Sequence, residues 1–131
     1  MKVAIVGSRN FPKLSWVREF VARLPDTTTV VSGAARGVDR AAEVAAKEHG
    51  LTVESFEAAW SQGRGAGMAR NSDIAAAAEV VVAFWDGESR GTMDTVRKAQ
   101  AAGKPVHVIN SHASAPRFAI ATALRAIRGE S

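Results

Sequence analysis

Short apolar runs alternate with amphipathic stretches along the whole chain. The run Glu79–Trp85 is β-branched and aromatic, is too short for a buried helix, and is followed by Asp86-Gly87. Such a run predicts a parallel strand with both faces covered. The polar loop Gly87–Gly91 comes next, and it leads into apolar residues spaced as on one face of a helix. Backbone N–H groups at such a helix start favour a phosphate or another anion.

The same alternation is found from end to end. Strands are predicted at Lys2–Val6, Thr28–Ser32, Leu51–Phe56, Glu79–Trp85 and Val106–Ile109. Helices are predicted at 15–24, Val38–His49, Met68–Ala78, Thr92–Ala102 and Ala115–Arg128, the last with Phe118, Ile120, Ala121, Leu124 and Ile127 on one apolar face. Between the third strand and third helix, three glycines and one tryptophan predict a long loop, 57–67, without a regular element. The pattern predicts one α/β domain over 1–131, a five-stranded parallel sheet whose short strands are buried on both faces beneath helices.

Composition narrows the classes of function. The chain has 131 residues, no cysteine and a formal charge of +4, and neither a signal peptide nor a run of ~20 apolar residues is evident. We therefore expect a cytoplasmic protein without a membrane partner. The arginines are scattered, which is more typical of a solvated surface than of a nucleic-acid footprint. The three histidines lack metal-ligand spacing, so neither a metal nor a cofactor is expected.

Three glycine-containing loops follow predicted strands, and each carries a hydroxyl and an arginine. They are Gly7–Asn10, Ser32–Gly37 and Gly87–Thr92. Because ligands of open α/β sheets bind beyond the carboxyl ends of the strands, the three loops are expected to meet around one ligand. Glycine lets backbone amides approach, and arginine suits phosphate oxygens. Neither the Walker pattern nor G-x-G-x-x-G is present, so the loops favour a phosphate-bearing ligand of another type.

Four motifs in order carry a resemblance to a known family. They are Val3–Arg9, Ser32–Asp39, Gly65–Asn71 and Ser89–Asp94. Together they resemble the SLOG superfamily, and within it the YspA-like branch, over Lys2–Ile109. The resemblance implies a Rossmann-like three-layer domain that binds a nucleotide or a nucleotide-derived ligand.

Two relatives in that superfamily imply different activities. The cytokinin-activating phosphoribohydrolases, also called LOG or lysine-decarboxylase-like proteins, carry an arginine and a Pro-Gly-Gly-x-Gly-Thr-x-x-Glu loop, and Arg70, Gly91-Thr92 and Asp94 fall at matching positions. DprA shares the Ser-Gly-x-Ala-x-Gly-x-Asp pattern of Ser32–Asp39 and binds single-stranded DNA. The chain departs from the hydrolases at 85–90, where Trp-Asp-Gly-Glu-Ser-Arg replaces Pro-Gly-Gly, and Asp94 is one methylene shorter than their glutamate.

Several candidate residues have a second interpretation. Asp94 can hold a ribose and stabilise a cationic sugar, or it can only stabilise the helix through its favourable interaction with the helix dipole. Arg70 can contact a phosphate from the start of its helix, or it can be a solvated side chain beside a capping Asn71 or Ser72. Trp60 can stack on a base, or it can cover the core. Asp39 is expected to stabilise the start of its helix.

The resulting prediction is a sensor or carrier of a nucleotide or ADP-ribose-like ligand. One alternative is an N-glycosidase of nucleoside monophosphates with Asp94 and Arg70 as catalytic residues, and a further one is single-stranded DNA binding of the DprA type. The predicted binding residues are Gly7, Ser8, Arg9, Ser32, Gly33, Ala34, Arg36, Gly37, Trp60, Asn71, Asp86, Ser89, Arg90, Gly91 and Thr92. The apolar face of the last helix can form a homodimer or higher oligomer, or it can pack against the core of its own chain.

Overall fold

The computed structural model describes residues 1–63 and 65–130, so position 64, within the predicted loop 57–67, and position 131 lie outside the described residues. The elements in chain order are β1 (Lys2–Gly7), α1 (Leu14–Ala22), β2 (Thr29–Ser32), α2 (Val38–Glu48), β3 (Thr52–Ser55), a 3₁₀ helix (Trp60–Gln62), α3 (Gly65–Ala77), β4 (Val80–Trp85), α4 (Arg90–Ala101), β5 (Val106–Asn110) and α5 (Pro116–Arg128). Every predicted strand and helix is present, with bounds shifted by a few residues. Within the described ranges, no helix combines the length and the apolar character needed to cross a membrane.

The five strands form one parallel sheet in the order β3-β2-β1-β4-β5. Ala4 of β1 lies between Val31 of β2 and Val81 of β4, which places β1 at the centre. A parallel neighbour requires a crossover connection, and the helices supply each one. The predicted five-stranded parallel sheet is confirmed.

Helices cover both faces of the sheet and complete the predicted three layers. Alternate residues of β1 and β4 face α1, α2 and α5, where Phe84 packs edge-to-face against Phe11 and Phe20 with ring centroids 5.7 and 5.8 Å apart. The intervening residues of these strands face α3 and α4, against Ile74 and Val96. Since side chains alternate along a strand, a run that is apolar at every position fits a central strand between two helical layers.

The expectation that all strands are buried on both faces is wrong for the two edges of the sheet. β3 has no fully buried residue, and only Ile109 is buried in β5. An edge strand has a neighbour on one side only, so the helical layers cover it incompletely. The prediction for α5 also needs correction, because Phe118 is 71% exposed while Ala123, Leu124 and Ile127 are buried.

The predicted irregular loop 57–67 is wrong at two places. Trp60–Gln62 forms a 3₁₀ helix, and α3 begins at Gly65 rather than at Met68. A glycine in a helix costs about 1 kcal/mol relative to alanine, which is why the glycines predicted a loop. Ala66 is nevertheless buried, and tertiary packing of this turn outweighs the local preference.

Candidate functional site

A cleft of about 750 Å³ opens at the carboxyl ends of the strands. It lies where the strand order reverses, because β1 leads into α1 on one face while the adjacent β4 leads into α4 on the other. Diverging connections leave a crevice at such a point. Gly7 stands at the end of β1, and a Cβ there would collide with the carbonyl oxygen of Phe84 and with Val38. The close approach of the two strand ends therefore requires glycine.

The structure brings most of the predicted site residues into this cleft. Those that line it are Gly7, Arg9, Trp60, Arg70, Asn71, Asp86, Ser89, Arg90, Gly91, Thr92 and Asp94. A smaller adjoining pocket of about 280 Å³ is lined in part by Gly33, Ala34 and Arg36. Ser8, Ser32 and Gly37 line neither space. Ser8 is buried and its Oγ accepts a hydrogen bond from the amide of Asp86, so it joins the loops after β1 and β4 rather than facing the cleft.

Arg70 is anchored by neutral partners. Its Nη1 donates to the carbonyl oxygen of Gly33 at 2.6 Å, and its Nε donates to Oδ1 of Asn71 at 3.1 Å. Among the described residues no carboxylate lies within ion-pair distance of the guanidinium. A guanidinium has five N–H donors, so three remain for a ligand. Arg70 lies in the middle of α3, not at a helix start, and the predicted capping role of Asn71 or Ser72 is wrong because the helix begins earlier.

Asn71 connects this arginine to the predicted catalytic carboxylate. Its Nδ2 donates to Oδ2 of Asp94 at 3.0 Å and to the carbonyl oxygen of Gly91 at 3.3 Å. The same carboxylate oxygen accepts from Nζ of Lys98 at 2.8 Å. The second oxygen of Asp94, Oδ1, accepts no hydrogen bond from the residues that the structure describes, so it is available to a ligand.

Asp94 is held ionised at neutral pH. Burial, the largest single influence, raises its pKa, but the hydrogen bonds from Lys98 and Asn71 and the charges of Lys98 and Arg97 outweigh burial and leave the pKa below its ordinary value. The first turn of α4 contains no acidic residue, since Asp94 lies beyond it. The helix-dipole interpretation of Asp94 is therefore wrong, and the reason is that α4 starts two residues before the predicted start.

The loop before α4 largely satisfies its own amides. Asp86 Oδ1 accepts from the amides of Glu88 and Ser89 at 2.9 Å each, and these bonds, with the amide of Glu88 foremost, lower the pKa of Asp86. Ser89 caps the helix by accepting from the amide of Thr92 at 3.3 Å. Among the first four N–H groups of α4, those of Thr92 and Met93 therefore donate to Ser89, and those of Arg90 and Gly91 have no partner among the described residues.

Asp39 lies in the floor of the cleft and is only 5% exposed. Its Oδ2 accepts from the amide of Ala35 at 3.3 Å, while Oδ1 has no partner among the described residues. Burial, above all, raises the pKa of Asp39 from 3.8 to about 6, against the opposing effect of the Ala35 amide and the Arg70 charge. Its position in the first turn of α2 is as predicted, but a carboxyl group that is half protonated near pH 6 is a weak helix-dipole partner.

Trp60 lines the cleft, and 57% of its surface is exposed. The ring centroid is 6.0 Å from the guanidinium carbon of Arg70, a cation–π distance. A Cβ on Gly67 would approach the ring to 2.9 Å, so the indole rests directly on the backbone of α3. Trp60 therefore does not cover the core, and its exposed face is available for stacking.

The charges of the cleft are mixed. Its lining contains four arginines, Arg9, Arg70, Arg90 and Arg97, and four carboxylates, Asp39, Asp86, Glu88 and Asp94. Lys98 offsets Asp94. Among the described residues no group of histidine, cysteine and acidic side chains is arranged to hold a metal ion.

Some lining residues were not predicted. Arg97 and Thr95 follow Asp94 on α4, and Asn10, Ala35, Met68 and Ile74 come from three other segments, the last two from α3. Spacing offers a signal for Arg97 and Lys98, because residues three and four positions after Asp94 lie on its side of a helix. Met68 and Ile74 carry no polar signal, and only the packing of α3 places them.

Comparisons with known proteins agree with this geometry. Residues 1–60 match the family model described as DNA recombination-mediator protein A. Two solved structures of DNA processing protein A (DprA) share the fold. The Streptococcus pneumoniae protein superposes with a TM-score of 0.74 at 22% identity over 99% of this chain, which spans only 57% of that protein. The Helicobacter pylori protein, described as binding single-stranded DNA, superposes with a TM-score of 0.63 at 22% identity. The match covers 96% of this chain and 81% of that protein.

A protein of similar length is closer in sequence. The Gene 61 protein of Mycobacterium phage D29 is 38% identical over 116 residues, which cover 80% of this chain and 93% of the phage protein. At 22% identity the DprA structures establish the Rossmann-like fold alone. The chain therefore belongs to the family of the Gene 61 protein of Mycobacterium phage D29, and it shares its fold with DprA.

Proposed function

We propose that the cleft binds single-stranded DNA. Arg70 carries the proposal, because it is a half-buried cation held in place by two neutral acceptors, with three N–H donors left over and no carboxylate partner among the described residues. A fixed guanidinium of this kind suits a phosphate oxygen pair. Arg9 reaches the same cleft and supplies a second cation for the backbone of the strand.

Trp60 supplies the contact to a base. Proteins that bind single strands without sequence preference combine cations along the backbone with aromatic rings on which bases stack. Trp60 is exposed and lies beside Arg70, so one nucleotide can place its base on the indole and its phosphate on the guanidinium. The match of residues 1–60 to a DNA recombination-mediator family and the single-stranded DNA binding of the H. pylori protein support this function.

A nucleotide or nucleotide-derived small molecule is the second candidate. A cleft of about 750 Å³ lies within the range of roughly 300–1,000 Å³ that is usual for small ligands. The carboxylates in the lining offset the arginines, which fits a compact ligand with both phosphate and hydroxyl groups. If the ligand is a substrate, Oδ1 of Asp94 can accept a hydrogen bond from a ribose hydroxyl. The carboxylate can then stabilise the cationic sugar that forms as an N-glycosidic bond breaks.

Fluorescence polarisation with labelled oligo(dT) tests the first function. We expect binding that Arg70→Ala weakens at least tenfold, whereas Arg18→Ala, an exposed position on α1 outside the cleft, leaves it within twofold. An absence of binding by the wild-type protein, or equal losses in the two variants, would contradict the proposal.

The second function has its own measurements. A nucleotide at ~100 times its dissociation constant stabilises its protein by ~2.7 kcal/mol, which a thermal-shift panel of nucleoside monophosphates and ADP-ribose detects. Release of free base from a monophosphate, followed by chromatography and abolished by Asp94→Asn, would identify the N-glycosidase. Clear oligo(dT) binding without release of base from any monophosphate of the panel would leave oligonucleotide binding as the function of the cleft.

We further infer that the chain is a cytoplasmic SLOG protein of the YspA-like branch. The four ordered motifs support that assignment, and the Rossmann-like fold is the one that it requires. Self-association through α5 is a related proposal, which sedimentation velocity of the full chain tests directly.

A further inference from the structure

The small pocket beside the cleft has the position and chemistry of a second subsite. It encloses about 280 Å³ and is lined by the β2–α2 loop, by Glu57 and Ala58, and by Arg36. Its volume falls just below the range of roughly 300–1,000 Å³ for complete small-molecule sites, so it suits one part of a larger ligand.

The two spaces share one wall. Arg9, Ala35, Trp60 and Arg70 line both the cleft and the small pocket. A group bound at Arg9 and Arg70 is therefore within reach of both. In a nucleic acid strand the phosphate is the group that two successive nucleotides share, and the two cations of the wall match its charge.

The small pocket has a cation of its own. Arg36 is exposed and forms no ion pair with a described residue. The loop that carries it is held by internal bonds, since the amide of Ala34 donates to Ser32 Oγ at 3.1 Å and the amide of Ala35 donates to Asp39. Ala34 has a φ of 57°, a left-handed conformation unusual for a residue with a side chain. Backbone conformations of this kind occur at ligand-binding positions when the surrounding structure holds them.

We propose that the small pocket binds a second, adjacent nucleotide of the same strand, with the linking phosphate on the wall formed by Arg9 and Arg70 and with Arg36 on the next phosphate. The inference rests on the proposed binding of single-stranded DNA and adds that the smallest ligand filling the whole site is a dinucleotide. Trp60 stands on the shared wall and stacks a base of one of the two nucleotides.

A length series of ligands tests the inference. Titration calorimetry with thymidine 5′-monophosphate, pTpT and pTpTpT should give at least a tenfold gain in affinity from the first to the second and a smaller gain from the second to the third. Arg36→Ala should remove most of the gain for pTpT and leave the affinity for the monophosphate within twofold. Arg125→Ala, an exposed position on α5 that lines neither space, should leave all three affinities unchanged.

The outcomes separate the two proposals. Equal affinities for the monophosphate and pTpT, with clear binding of longer oligo(dT), would overturn the second subsite and leave the DNA-binding function standing. A gain that survives Arg36→Ala would overturn the role of this pocket in the same way. Failure to bind any of the three ligands and oligo(dT) would overturn the proposed function itself.

Discussion

Asn71 Nδ2 donates a hydrogen bond of 3.0 Å to Asp94 Oδ2, although 23 positions separate the two residues along the chain. Since Asn71 Oδ1 also accepts from Arg70, one buried amide orients both the cation and the carboxylate of the cleft. Asn71 is thus a positioning residue, and the arrangement depends on the packing of α3 against α4.

Removal of that amide tests its positioning role. We expect Asn71→Ala to lower the free energy of unfolding by about 1–3 kcal/mol, because it leaves partly buried polar partners unsatisfied, and to weaken oligo(dT) binding because Arg70 and Asp94 lose the amide that orients them. Urea unfolding and polarisation measure the two effects. Ser72→Ala is the control, since the hydroxyl of Ser72 donates, among the described residues, only to the carbonyl oxygen of Met68 in its own helix. Unchanged binding in Asn71→Ala would contradict the positioning role.

The mixed charges of the cleft predict a shallow salt dependence. Each phosphate contact to a single strand contributes about −0.7 to the slope of log K against log salt concentration. With two phosphates contacted, one by Arg9 and Arg70 together and the next by Arg36, we expect a slope of about −1.4. Arg36→Ala should reduce its magnitude by about 0.7. A slope several times steeper would show that the strand follows a different surface.

Trp60 is expected to contribute to binding and not to stability. Its side chain is more than half exposed, so Trp60→Ala should change the free energy of unfolding by less than about 0.5 kcal/mol. Loss of a stacked base should cost about 1–3 kcal/mol of binding free energy. Trp60→Phe keeps an aromatic face and should recover part of the affinity. Equal binding by the alanine and wild-type proteins would eliminate the stacking role.

Asp39 predicts a dependence of stability on pH. Its pKa is raised in the folded protein from 3.8 to about 6, so the folded state binds this proton more tightly than the unfolded chain. Protonation of Asp39 therefore contributes about 3 kcal/mol to the free energy of unfolding. This contribution is fully present below pH ~4 and is lost as the pH rises to ~6. Asp39→Asn should therefore match wild-type stability near pH 4 and exceed it near pH 7.5.

Unfolding by urea at the two pH values measures this difference. Asp26→Asn is the matched control, because Asp26 is exposed in the turn after α1 and its replacement should leave the pH profile unchanged. A wild-type profile that persists in Asp39→Asn would place the buried proton on another group.

The fold could be predicted from local patterns of apolar, glycine and hydroxyl residues in the sequence. Val80–Phe84 are apolar at every position and are buried, and the glycine and hydroxyl residues at the strand ends marked the edge of the sheet where the cleft lies. Alternating strands and helices allow few topologies, since parallel strands need crossovers of one hand. The prediction was wrong in part at 57–67, because the glycines there favoured a loop although the first turn of α3 begins at Gly65.

The hydrogen bonds between the side chains of the cleft could not be predicted from local sequence patterns. The resemblance to the phosphoribohydrolases implied Arg70 and Asp94 as candidates, and the loop composition indicated a phosphate-type site, but amino-acid order and propensity act over only a few residues. Packing of α3 against α4 decided that Asn71 joins those two residues and that Arg70 lacks an acidic partner among the described residues. Hydrogen bonds require positions within about 3 Å, and for residues more than twenty positions apart only the assembled layers set such distances.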